Sequence, residues 1–152
     1  MQIFQANLKD VPCLTTMNIK LRQDEQIDNI MSDKQVHDRM KGFLKGDYTA
    51  YLFKNFKIVY GYALVDATKT PPYLRQFYIE REYRSQGHGK TAFDLLVKEL
   101  NCEALDLEVL TWNKRGIRFW KKVGFESRCL VMRYKPNKIK TTAERMQAKA
   151  SA

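Results

Sequence analysis

The residues most able to do chemistry lie between Arg84 and Lys90, where the chain reads Arg-Ser-Gln-Gly-His-Gly-Lys. A strand-like run, Tyr73 to Ile79, precedes them, and an amphipathic helical run, Thr91 to Leu100, follows. Gly87 and Gly89 permit positive φ and close backbone approach. Free N–H groups at the positive end of the following helix can then point at an anion. The spacing predicts a cradle for a phosphate or pyrophosphate, with Arg81, Arg84 and Lys90 around it.

Carboxylates form a second group. Along Leu105 to Thr111, alternation sets Leu105, Leu107 and Val109 on one face and Asp106, Glu108 and Leu110 on the other. A central strand covered by helices is apolar on both faces, so two carboxylates predict that this face opens into a cleft. Glu108 reads equally as a rim carboxylate paired with an Arg or Lys. Glu80 shares a face with Gln76 and Tyr78, and it also reads as a solvated neighbour of Arg81.

Beyond the second strand comes Asn113-Lys-Arg-Gly-Ile-Arg-Phe-Trp120-Lys-Lys-Val-Gly124-Phe125, a short helix stopped by a glycine. The two blocks together resemble the GNAT superfamily of N-acetyltransferases, over about residues 58 to 134. Its first block is Gln/Arg-x-x-Gly-x-Gly/Ala opening a helix. Its second is an Asn, an aromatic seven residues on, then Gly-Phe. Arg84, Gly87, Gly89, Asn113, Gly124 and Phe125 match. A dinucleotide-binding loop fits less well, because position 92 is Ala where the third glycine is required and no acidic ribose partner follows at the expected distance.

The resemblance implies acetyl-CoA as cofactor. Its pyrophosphate would meet the loop and helix start at Arg84, Ser85, Gln86, Gly87, His88, Gly89, Lys90 and Thr91, and its pantetheine would lie along Phe77, Tyr78 and Ile79 almost as an added strand. A backbone N–H of that strand would face the thioester carbonyl. Asn113, Phe119 and Trp120 are carried over as further cofactor contacts.

For the reaction, the resemblance implies transfer of an acetyl group to a primary amine within a ternary complex. An alkyl amine has a pKa of about 10 and arrives protonated, so a carboxylate must remove a proton before attack. Glu108 is the first candidate for that base. In its Leu-Glu-Val context, twelve residues before the aromatic, it is similar to a catalytic glutamate of ribosomal-protein alanine acetyltransferases. Glu80 is the second. One position departs from the family: the aromatic after Asn113 is usually a Tyr credited with protonating the thiolate, and here it is Trp120, whose indole cannot deliver a proton. Tyr78, Tyr62 or Tyr134 are possible substitutes, and each also reads as a core or rim aromatic.

Acceptor contacts in the superfamily come from the first two helices and their connection, which here contain Arg22, Gln23, Asp24 and Glu25. Asp24 and Glu25 can receive a cationic amine, and Arg75 with Gln76 can hold a carboxylate from the opposite side. A plain polar helix end reads equally well. The acceptor is a small-molecule amine or a protein amine. Two rival functions stand beside this one: a GNAT-fold protein that binds acyl-CoA with little transfer, and a ribosome- or RNA-associated protein acetyltransferase using the basic surface.

Around these groups, 152 residues with 44% apolar content suit one domain with a full core. The chain divides into a domain over residues 1–135 and a basic tail over 136–152 that forms a short helix or stays disordered. The net charge is +10, and the stretch from Lys135 onwards sets Lys135, Lys138, Lys140, Arg145 and Lys149 against Glu144 alone. Such a balance suits a polyanionic cofactor or nucleic acid. No run nears the roughly 18 apolar residues of a membrane span, and the chain reads as cytoplasmic, without a membrane partner. Cys13, Cys102 and Cys129 lack metal or disulfide spacing and read as buried or half-buried thiols; no metal is expected.

The elements follow from pattern. Met1 to Ala6 reads as a strand. Asp10 caps a helix carrying Leu14, Met17, Ile19 and Leu21, and Ser32 with Gln35 forms a capping box for a second helix that Gly46 ends. Tyr48 to Lys54 and Lys57 to Val65 read as a hairpin, and Arg128 to Tyr134 as a last strand. The expected fold is α/β (α+β), with a mixed, mostly antiparallel sheet, helices on both faces, and the order β-α-α-β-β-β-α-β-α-β-β. The resemblance implies the same order, and relatives that pair through sheet edges or C-terminal strands imply a homodimer as one assembly state.

Overall fold

A computed structural model describes residues 1–136. Five strands cross one sheet in chain order: β1 (Gln2–Gln5), β2 (Tyr48–Lys54), β3 (Val59–Asp66), β4 (Tyr73–Ile79) and β5 (Asp106–Leu107). Neighbours are antiparallel except β4 and β5, which run parallel. The helices are α1 (Val11–Asp24), α2 (Asp33–Lys45), α3 (His88–Leu100) and α4 (Lys114–Lys122).

The sheet has a core on each face. On one, Leu14, Met17 and Leu21 of α1 and Met40 of α2 pack with Leu52, Tyr62, Leu64 and Tyr78. On the other, Ala92 and Leu96 of α3 pack with Phe53, Ala63, Val65 and Leu74. Strands β2 and β3 are buried on both faces, which is why they read as near-continuous apolar runs. The β3–β4 contact demands a glycine: a Cβ on Gly61 would lie 1.8 Å from the Tyr78 carbonyl oxygen.

Two irregularities shape the site. The β3–β4 register pairs Leu64 with Gln76 and Val65 with Leu74, leaving Arg75 as an extra residue, a β-bulge. The bulge puts Arg75 and Gln76 on the α1–α2 side together: Gln76 accepts a hydrogen bond from Tyr62 Oη at 2.8 Å, and the Arg75 guanidinium lies 5.0 Å from the Phe43 ring centroid. Strand β5, secondly, pairs with β4 only at Tyr73–Asp106 and Leu74–Leu107. From Arg75 to Ile79 the outer edge of β4 has no partner strand among the described residues.

Several expectations need correction. The second strand does not extend over Leu105 to Thr111; it closes after Leu107, because the chains diverge once β4 bulges. Arg128 to Tyr134 is not a strand, and Leu130, Val131, Met132 and Tyr134 are exposed. A ladder two residues long offers too little edge for another strand to pair. The element order therefore matches up to α4 and lacks the last two strands among the described residues. Asp10 does not cap α1 with its side chain; it accepts from the Asn7 N–H, within a capping box on the short helical turn Leu8–Asp10. Cys13 and Cys129 are exposed, and only Cys102 is half-buried. The Ser32–Gln35 capping box and the Gly46 stop are present as expected. The basic tail lies outside the described residues, apart from its first residue, Pro136, which is exposed.

Candidate active site

The loop between β4 and α3 is held from below. Arg84 donates its Nε to the Ile79 carbonyl at 2.7 Å and its Nη2 to Asp24 at 2.6 Å, with its guanidinium over the Tyr78 ring. Arg81 meets the other Asp24 oxygen at 2.8 Å. Burial pushes the Asp24 carboxyl up, but the hydrogen bonds from Arg84 and Arg81 outweigh it and leave the carboxyl below its ordinary range. Arg84 and Asp24 thus tie the loop to the end of α1, and neither is left free to meet a cofactor or an amine as the sequence suggested.

Above that anchor the cradle is open. Gly87 sits at φ 83° as the residue before α3, and a Cβ there would meet nothing within 4 Å. No side chain caps the helix, so the N–H groups of its first turn face outward. The space and the donors fit a pyrophosphate. Gly89 serves differently from expectation: it lies inside α3, and a Cβ there would come within 3.1 Å of the Phe119 ring. His88 packs against Tyr60, Ser85 turns at φ 60°, Gln86 donates to the Glu82 carbonyl, and Thr91 Oγ1 to that of Gly87. Lys90 pairs with Asp94 along the exposed helix.

The second motif is mostly architecture. Asn113 Oδ1 accepts the Gly116 N–H at 2.9 Å and caps α4. Trp120 packs edge-on against Phe77, Phe93 and Phe125, with centroids 5.2, 5.8 and 5.3 Å away, while Phe119 stacks on Phe77 at 6.0 Å. An indole at this place fills the junction between α3, α4 and β4.

The carboxylates separate into unlike environments. Glu80 accepts from Lys20 Nζ at 3.0 and 2.9 Å and from Tyr78 Oη at 3.1 Å, so both its oxygens are engaged. Burial, and Glu80 beside it, push the Tyr78 phenol up to about 12. Glu108 is exposed on the diverging arm after β5, near Tyr73. Glu25 is half-buried at the end of α1; burial, then neighbouring Asp24, push its carboxyl up to about 6 against the pull of Arg22.

A large hollow joins Glu25 and Glu108 to the Trp120 junction. Asn18, Arg22, Glu25, Arg39, Arg75, Gln76, Glu108 and Trp120 all line it. Buried Asn18 of α1 and Gln76 line it, and beneath them Gln76 accepts a hydrogen bond from the buried Tyr62 hydroxyl. Trp112 crosses to α1, donating its Nε1 to the Glu25 carbonyl at 2.9 Å. The sequence reading missed Arg39, Asn18, Lys20 and Trp112. Arg39 had a visible signal, since it sits among Val36, Met40 and Phe43 on the apolar face of α2. The Trp112 contact spans 87 residues and had none.

A parallel pair that splays beside a bulge, above a helix N-terminus open to an anion, describes an acyl-CoA-type transferase. Comparison agrees. The family model described as the acetyltransferase (GNAT) family matches residues 35–125, and the chain belongs to that family. Thialysine N-epsilon-acetyltransferase of Bos taurus is 36% identical over 55 residues, a match covering 34% of this chain and 32% of that protein's length. Among solved structures, a tetramutant of a Bacillus halodurans protein superposes with a TM-score of 0.72 at 18% identity, over 89% of this chain and 99% of that one. A Clostridium acetobutylicum protein, described as a predicted acetyltransferase with acetyl-CoA, has a TM-score of 0.65 at 19% identity, over 88% and 95%.

Proposed function

We propose that the chain moves an acetyl group directly from acetyl-CoA to a primary amine held in the same hollow, in a ternary complex. The observation that carries this reading is the splay of β5 from β4 at the Arg75 bulge. It leaves the β4 edge from Arg75 to Ile79, which runs towards the open start of α3, without a partner strand among the described residues, and Arg75 and Gln76 at the beginning of that edge line the hollow with Arg22 of α1 and Arg39 of α2.

The N–H groups at the start of α3 would hold the pyrophosphate, and the β4 edge from Phe77 to Ile79 the pantetheine. Acetyl-CoA supplies the activated acyl carbon. Glu25, ionised at neutral pH in spite of its raised pKa, receives the ammonium form of the amine, since Asp24 is already committed to two arginines. Glu108, exposed on the splayed arm, takes the proton directly or through water. A β4 backbone N–H hydrogen-bonds the acyl oxygen as charge develops there. A thiol of pKa about 8.5 can leave as thiolate, so Trp120 in place of a tyrosine is compatible with transfer.

Two measurements test this. Titration calorimetry should detect acetyl-CoA binding that the Gly87→Asp, Gly89→Asp double variant loses. Initial-rate kinetics with a primary amine that the enzyme acetylates should give intersecting lines, and Glu108→Gln should lower kcat by about 100-fold or more. Parallel lines would exclude direct transfer, and an unchanged kcat would remove Glu108 as base.

A further inference from the structure

The amine side of the hollow contains positive charge that no ion pair neutralises among the described residues. Arg39, from α2, and Arg75, from the β4 bulge, both approach the Phe43 ring, with guanidinium carbons 5.6 and 5.0 Å from its centroid. Arg39 donates Nη2 to Asn18 Oδ1 at 3.3 Å, but its Nε is buried with no hydrogen-bond partner. Arg75 donates Nη1 to Tyr48 Oη at 3.4 Å. Arg81 and Arg84 share Asp24, and Lys20 has Glu80. Among the described residues, no ion pair includes Arg39 or Arg75.

This arrangement has two costs. Like charges gathered on one ring repel, and a buried N–H left unmade forfeits its hydration. A carboxylate relieves both, because its two oxygens match the planar fork of a guanidinium and its charge offsets the pair. Glu25 lines the same hollow and offers a carboxylate to the other end of a ligand.

We propose that the acceptor is an amine that also carries a carboxylate, an amino-acid-like molecule whose carboxylate is gripped by Arg39 and Arg75 while its ammonium group faces Glu25. The inference rests on the reading of this hollow as the amine site. It separates amino acids with a side-chain amine from the polyamines that share the amine and lack the anion.

The test reads binding first, and turnover only to separate this proposal from the transferase mechanism. The full chain, saturated with CoA, is titrated calorimetrically with three matched pairs: L-lysine and cadaverine, L-ornithine and putrescine, γ-aminobutyrate and butylamine. At least one carboxylate-bearing member should bind on the order of tenfold more tightly than its partner. The ratio should fall towards one in Arg39→Gln and, separately, in Arg75→Gln, whose exposed side chain can change without disturbing the core. Equal binding in all three pairs, or a ratio that survives both variants, would overturn the proposal. A chain that prefers lysine but acetylates nothing would sink the transferase mechanism and keep the anion site. Acetylation without any preference would do the reverse.

Discussion

Glu25 carries the most consequential ionisation among the residues of the site. Its carboxyl rises from an ordinary value of 4.5 to about 6, through burial first and the charge of Asp24 second. The sign follows from linkage: between those values the folded form of Glu25 binds more proton than the unfolded one, so the contribution of Glu25 to stability is greatest below pH 4.5 and declines as pH rises through 6. The decline amounts to at most about 2 kcal/mol. Glu25→Gln should flatten urea-derived stability over that window and gain up to that amount at pH 7. The same ionisation should govern the amine: KM for an acetylated amine should climb as pH drops below about 6 in the wild type, and the climb should vanish in Glu25→Gln. A KM that follows pH identically in both proteins would mean that Glu25 does not meet the ammonium group. By contrast, the Tyr78 phenol, pushed up to about 12, holds its proton against Glu80 throughout the working range. It is poorly suited to supply a proton to a departing thiolate.

Among the elements, β4 decides the geometry. It is pinned to β3 at Gly61, bulged at Arg75 and released from β5 after Leu74, so one strand both anchors the sheet and opens the cleft. The Gly61 contact is with backbone, which cannot rotate away. Gly61→Ala should therefore destabilise the fold by roughly 3 kcal/mol or more, seen as a lower urea midpoint, and should weaken acetyl-CoA binding in whatever fraction stays folded. A midpoint within error of wild type would show that β3 and β4 can slide apart at that point. Patterns of residues located β2 and β4 to their ends, because burial on both faces and flanking turns are written in local composition. They overextended β5, whose length depends on where its partner bulges. They also predicted a strand at Arg128 to Tyr134, where apolar residues suit a sheet edge that the fold does not provide.

For the whole molecule, the net charge is +10, and Arg81, Arg84 and Lys90 lie around the loop that opens α3. Acetyl-CoA affinity should fall severalfold between roughly 50 and 500 mM KCl, because diffuse cationic attraction is screened while hydrogen bonds from the α3 N–H groups are not. A flat salt profile would assign cofactor binding to those hydrogen bonds alone. No helix among the described residues is long and apolar enough to cross a membrane.

The sequence by itself determined the glycine turn that opens α3, the family and the order of elements up to α4, since each is a local matter of glycine placement, helix start and periodicity. Tertiary structure alone decided which charged groups remain available. Asp24 and Arg84, read as ligands, neutralise each other across 60 residues, and Glu80 is taken by Lys20 at the same separation. Arg39 and Arg75, 36 positions apart in the numbering, meet over one ring with no ion-pair partner among the described residues. A side chain's charge is written in its residue type, but its partner is chosen by packing, and the partner determines whether that charge is left for a substrate.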